Sequence, residues 1–316
     1  MIYLISAAAA IIPMIIYLII IWRFDRYDRE PFGLVIQNYL WGAAGAILLT
    51  FIFGSILNLV FSSVIADAND LDNFETIILA PIVEESMKGL FLLITITNRK
   101  FDNITDGLVY GGAIGLGFGM TENFLYFITY AVSISDWIFL VIVRTLFSGV
   151  MHCVATAIFG AFLGYAKFKE GTQKFIFALS GLLLAVTLHF TWNLSVSFDS
   201  TIFSGFASMI LIFAVFIIVF SFSVLNEKKL IYNELIEEVK TGIIPVEHLN
   251  ILNSKQRNRN GWIDEEKRKS YVNAAITLAF RKVQHRNSSG ADKYLYEQDI
   301  EHYRLYIRDL NNSVIK

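Results

Sequence analysis

Glu84 and Glu85 lie side by side in an otherwise apolar run, with Lys88 one helical turn later. In a helix, Glu84 and Lys88 are i,i+4 neighbours and Glu85 and Lys88 are i,i+3 neighbours, so both carboxylates reach the ammonium group. Lys88 can neutralise one carboxylate and leave the other to exchange a proton. Two carboxylates in a dry site cannot both ionise cheaply, which is the pattern of a general acid or base. At bilayer depth each such group costs roughly 2.5–3.5 kcal/mol on insertion scales. It is kept where it is paired, faces water, or works.

Three more polar groups interrupt apolar segments: Glu122, His152 and His189. One carboxylate and two imidazoles are a zinc-binding set, with a fourth position left for water. The same groups can also activate water without a metal, and the spacing leaves both schemes open. In the metal scheme Glu122, His152 and His189 are the ligands and Glu84 or Glu85 is the base. Asn193 shares a helical face with His189, four residues away, and offers an amide donor for a developing oxyanion.

These residues need helices in lipid to position them. The chain has 316 residues, 55% hydrophobic and only 17% charged, against about 25% charged in ordinary soluble domains. Apolar segments cover approximately 1–22, 36–65, 77–97, 107–131, 137–166, 175–198 and 204–225, each near or above the length needed to span a bilayer. The first segment has no basic region before it and is too long for a cleaved signal, so it reads as a span. Connections 23–32, 98–106 and 167–174 carry Lys or Arg, whereas 66–76, 132–136 and 199–203 carry none. The positive-inside rule therefore predicts an outside N-terminus and a cytoplasmic C-terminus. Segment 107–131 has glycines at GxxxG spacing, suited to close helix packing in lipid.

Depth ties the site residues together. At the helical rise per residue, Glu84 lies about 10 Å from the outer start of its span, and Glu122 and His189 lie about 13 Å from theirs. If Arg144 extends to the outer interface, His152 lies about 12 Å below it. Four helices then bring their polar groups to one layer.

Residues 1–225 hold 10 Lys+Arg against 15 Asp+Glu; residues 226–316 hold 16 against 13 and lack long apolar runs. The expected organisation is a membrane-embedded domain over 1–225 and a cytoplasmic helical tail over 226–316. Helices are expected at 226–240, 264–286 and 292–310, with a loop at 287–290. The tail histidines His248, His285 and His302 read as surface residues. The tail is also where a cytoplasmic partner would bind. The net charge of −2 gives no reason to expect nucleic acid. The single cysteine, Cys153, permits no intrachain disulfide.

Glu84-Glu85-Ser86-Met87-Lys88 resembles the EExxK motif of the PrsW family of intramembrane proteases, which is related to the CAAX-processing and Abi proteases. Phe118 to Glu122, followed by Asn123, resembles its FxxxE motif. His152 and the run His189-Phe190-Thr191-Trp192-Asn193 resemble its two later histidine positions, and Asp25 to Pro31 resembles its first cytoplasmic loop. The likeness covers residues 20–200. It implies a multi-pass cell-membrane enzyme that hydrolyses a peptide bond in a single-pass membrane protein, such as an anti-sigma factor. The CAAX branch has His at the position of Glu122 and usually EExxxR, so prenylated substrates are not expected. The alternative is a transporter or channel that uses the same polar layer for protons or ions, although no internal repeat is evident. A retinal-type receptor would need a lysine in the last span, which has none.

Overall fold

The structure is a computed structural model that describes residues 2–312. Among these, every regular element is helical. The helices are α1 (Ile2–Phe24), α2 (Phe32–Leu40), α3 (Ile47–Phe61), α4 (Ala68–Phe74), α5 (Ala80–Thr95), α6 (Ile104–Thr129), α7 (Ile134–Val143), α8 (Gly149–Ala166), α9 (Gly171–Val196), α10 (Ile202–Lys240), α11 (Val246–Leu252), α12 (Glu265–Asn287) and α13 (Gly290–Asn312). Three π-helical turns join consecutive helices without a break: Trp41–Ala46 between α2 and α3, Glu75–Leu79 between α4 and α5, and Arg144–Ser148 between α7 and α8.

Five continuous helical stretches are long and apolar enough to cross a membrane: Ile2–Phe24, Phe32–Phe61, Ile134–Ala166, Gly171–Val196 and Ile202–Lys240. The other two expected spans correspond to α5 and α6, which carry the charged site residues and most of the close-packing glycines. The chain divides into two compact units. One contains the residues up to Asp25 and Arg29–Phe220; the other contains Arg26–Asp28 and the chain from Ser221.

In the first unit α6 is the buried axis. Its glycines let α8 approach backbone to backbone. A Cβ on Gly107, Gly111 or Gly115 would lie 2.0, 2.3 or 2.1 Å from the carbonyl oxygens of Gly160, Thr156 and His152 respectively. The bundle also closes on Gly42, where a Cβ would meet Ile114 O at 2.0 Å. Small residues take this role in lipid because van der Waals packing, rather than the hydrophobic effect, holds such helices together. α6 begins with a capping box: Asn103 Oδ1 accepts from the Thr105 and Asp106 amides, and Asp106 accepts from the Asn103 amide. That satisfies donors which the helix start leaves unpaired. The loop between α1 and α2 is tied in by the Trp22 indole, which donates to Glu30 O at 2.8 Å, by the Glu30 amide, which donates to Asp25 at 3.1 Å, and by the Tyr110 hydroxyl, which donates to the Glu30 carboxylate.

The second unit has its own core, centred on Ile231, Leu235, Leu252, Tyr271, Leu278 and Ile307. α12 starts after Asp264, whose carboxylate accepts from the Glu266 amide, and α10 ends before Gly242 at φ +73°. The expected tail helices at 264–286 and 292–310 match α12 and α13 to within two residues. The helix expected at 226–240 does not start anew, because α10 runs unbroken from Ile202. One histidine reading is corrected. His248 is half-buried, with Nδ1 3.0 Å from the Tyr271 hydroxyl and its ring edge-on to Trp262. Arg257 donates to the backbone carbonyls of Arg26 and Tyr27 and stacks over the Tyr27 ring, which holds the Arg26–Asp28 loop in this unit.

Candidate active site

Four helices converge through their polar residues: α5 supplies Glu84, Glu85 and Lys88, α6 Glu122, α8 His152 and α9 His189. Lys88 is fully buried. Its Nζ lies 2.7 Å from Glu85 Oε1, 3.4 Å from Glu84 Oε2 and 2.9 Å from His152 Nδ1, beneath the face of Phe118. It therefore neutralises Glu85 foremost and also fixes an imidazole. Glu85 is held on both oxygens: Oε1 meets His189 Nδ1 at 3.0 Å as well as Lys88, and Oε2 accepts from the Thr156 hydroxyl at 3.0 Å. Glu84 is held more loosely, with His189 Nε2 at 3.9 Å and Lys88 its nearer charged neighbour.

Glu122 faces the same centre from α6. Its Oε2 lies 2.6 Å from His152 Nε2 and 2.5 Å from Arg144 Nη2. Arg144 also donates to Asn123 Oδ1 at 3.0 Å and stacks on Tyr126. This corrects the expectation that Arg144 reaches for water: it is buried and answers the Glu122 charge. Sequence reasoning missed that pairing.

The two imidazole rings lie 4.9 Å apart and nearly perpendicular. Glu84, His152 and His189 each offer one ligand atom within 4.8 Å of the others. They are a buried carboxylate and two imidazoles, the donor chemistry that zinc takes, so the residues fit a divalent cation. Glu122, expected in the ligand set, is engaged by Arg144 and His152, and Glu84 takes its place in the trio. Three carboxylates face one lysine and one arginine, Lys88 and Arg144, so the formal charges leave one negative for a proton or a cation to neutralise.

Asn193 is placed differently from the expectation of an oxyanion donor. Its Nδ2 donates to Thr76 O at 2.8 Å, inside the π turn before α5. The other two π turns are pinned in the same way. Thr121 Oγ1 donates to Ala43 O at 2.7 Å, and Asn123 Nδ2 donates to Arg144 O at 3.4 Å. A π turn disturbs the regular carbonyl ladder, and such turns recur at functional sites. Here a side chain from a site-bearing helix takes up a carbonyl in each, and sequence pattern gave no signal for it.

A multi-helical bundle with a buried carboxylate, imidazole and lysine cluster is the arrangement of a membrane-embedded enzyme or of a proton or ion path. Comparison with known proteins places it further. Residues 30–223 match the model of the PrsW family intramembrane metalloproteases. Protease PrsW of Bacillus subtilis is 27% identical over 214 residues, which cover 66% of this chain and 89% of the relative. Protease PrsW of Oceanobacillus iheyensis is 31% identical over 212 residues, covering 67% and 88%. No solved structure matches. The chain belongs to the PrsW family: it is an intramembrane protease, embedded in the membrane by several helices.

Proposed function

We propose that the protein is an endopeptidase that cuts a single-pass membrane protein of the anti-sigma-factor kind within the bilayer, with Glu84 as the carboxylate that handles the nucleophilic water. The observation that carries this is the contrast between neighbours. Glu85 is locked by Lys88, His189 and Thr156, whereas Glu84 has no partner closer than 3.4 Å among the described residues and lies near both imidazoles. Glu84 takes a proton from water as the water oxygen bonds to the scissile carbonyl carbon. The proton passes to the departing nitrogen as the C–N bond breaks, leaving a carboxylate and an amine. His152 and His189 orient the water, Lys88 balances Glu85, and Arg144 balances Glu122. As an alternative to that base role of Glu84, a zinc ion bound by Glu84, His152 and His189 would supply Lewis acidity to the water and the carbonyl.

With α5 and α6 also crossing, the bundle has seven spans. The charge asymmetry of its connections favours an outside N-terminus and cleavage in the outer half of the bilayer. Residues 226–316 form a cytoplasmic tail that is suited to a partner.

A general base is worth about 10²–10⁴-fold in rate. Glu84→Gln should lower cleavage of a single-pass membrane reporter by a factor in that range, with the protein folded and inserted as wild type. Unchanged cleavage would remove Glu84 from the chemistry. Elemental analysis of purified wild type and His152→Ala checks the metal: one equivalent of zinc should be present in the first and absent in the second.

A further inference from the structure

Peptide hydrolysis in a bilayer poses a problem that the catalytic cluster does not solve. A helical substrate hides its carbonyl carbons, so the segment around the cut must unwind. Each backbone N–H or C=O then exposed to lipid costs several kcal/mol. The enzyme must offer polar partners at that depth, on a surface open to the lipid.

The structure has such a surface outside the cluster. A groove of about 580 Å³ runs between α3 and the stretch that leads from the π turn at Glu75–Leu79 into α5. Thr50, Gly54 and Asn58 line one wall at i, i+4, i+8 spacing, with Ser55 beside them. The opposite wall runs from Glu75 to Val83. At one end Asn58 Nδ2 donates to the Glu75 carboxylate and bridges the walls. At the other end is Val83, the residue before Glu84. Eight residues separate Glu75 from Val83, so the groove is about 12 Å long at the helical rise, room for about four residues of extended chain.

We propose that this groove receives the unwound segment of the substrate next to the scissile bond and delivers it to Glu84; the proposal rests on the proteolytic reading above. Three features favour an extended polypeptide over a lipid tail. First, Thr50, Ser55, Asn58 and Glu75 set hydroxyl, amide and carboxylate groups into a largely apolar lining, polar partners that a backbone can use and an acyl chain cannot. Second, Thr50 Oγ1 is buried and has no hydrogen-bond partner, an unmet polar group that an incoming backbone amide or carbonyl satisfies. Third, Gly54 leaves the floor open, since a Cβ there would meet nothing within 4 Å. The π turn forms part of the same wall, and its Thr76 carbonyl is held by Asn193, four residues beyond His189. The wall and the catalytic helix α9 are thereby joined.

The test uses the full chain in lipid vesicles with a single-pass reporter that wild type cleaves. Gly54→Leu puts a side chain into the groove at a position where a Cβ meets nothing within 4 Å; it should lower cleavage at least 10-fold, mainly through a higher KM, with unchanged thermal stability. In parallel, Ser55→Cys in the groove and Ile56→Cys on the adjacent face of α3 are oxidised with reporters that carry one cysteine within four residues of the cut. A disulfide should form with position 55 at least 10-fold faster than with position 56. Cleavage by Gly54→Leu at the wild-type rate, or crosslinking no better at 55 than at 56, overturns the proposal. Loss of cleavage in Glu84→Gln with either of those results leaves the proteolytic reading standing and removes only the groove.

Discussion

Arg144 shows how one side chain sets the energetics of a membrane site. A carboxylate and a guanidinium paired in a dry interior gain little over a well-packed apolar pair, but removing one partner strands a buried charge at a cost of about 3–5 kcal/mol. Arg144→Met should therefore destabilise the protein strongly, whereas Glu122→Gln/Arg144→Met together should recover part of the loss. Thermal unfolding of the two variants in detergent checks this; a double variant as unstable as Arg144→Met alone would show that the pair is not coupled. The conserved-charge substitution Arg144→Lys keeps the charge but loses the planar fork that holds Glu122 and Asn123 together. It should retain stability better than it retains activity. The residue-scale reading from sequence named Glu84, Glu85, Lys88, Glu122, His152 and His189, and the structure brings their side chains together. It misjudged Arg144 because snorkelling to water and pairing with a buried carboxylate both satisfy an arginine near the start of a long apolar helix. Only the position of Glu122 on another helix decides between them.

Helix approach is the next scale. Gly111 and Gly115 on α6 contact backbone of α8, and a Cβ at either position would lie within 2.3 Å of a carbonyl oxygen. Gly115→Ala must push the helices apart next to His152, at a cost of about 1–3 kcal/mol for overpacking, and should reduce cleavage along with stability. Gly33, near the start of α2, has nothing within 4 Å of a Cβ position. Gly33→Ala should be neutral or stabilising by about 0.4–1 kcal/mol, because it removes freedom from the unfolded chain. Unfolding midpoints of the two variants, compared in one detergent, check the contrast. The GxxxG spacing was legible in the sequence because it needs only a helical period. The π turns were not. They insert into helices whose composition is ordinary, and they are recognised through Thr121, Asn123 and Asn193, which arrive from other helices to meet their carbonyls.

At the scale of the whole molecule, the chain combines a bundle built for lipid with a unit whose ion pairs belong in water. In that second unit Glu238 is buried beneath Lys282 and Arg304, each 2.8 Å away. Burial pushes its carboxyl up, but hydrogen bonds from Arg304 and Lys282 outweigh this and hold it below the usual carboxylate range. Glu237 is likewise lowered by its hydrogen bond from Lys282. Burial lowers His248 below the usual imidazole value. In each case the folded state binds fewer protons than the unfolded state as pH falls through the unfolded value. Their stabilisation is therefore complete above about pH 6.5, the ordinary histidine value. It declines first as His248 must charge, then again below about pH 4.3, the ordinary glutamate value, as the carboxylates take up protons. Hydrogen exchange of α10 to α13 in the full chain, corrected for intrinsic rates, should show protection falling from pH 7 to 4. Protection that rises on acidification would reverse this sign.

The amino-acid sequence alone determined that this is a helical membrane protein with a polar layer, and it named the family, because hydropathy, loop charge and motif spacing are properties of a linear chain. Which carboxylate is held tightly and which loosely, which arginine answers Glu122, and which trio can hold a cation were decided only by tertiary structure. Those are relations between side chains on different helices, fixed by how closely glycine lets the backbones meet. Nothing in one helix's sequence records the distance to a group on another.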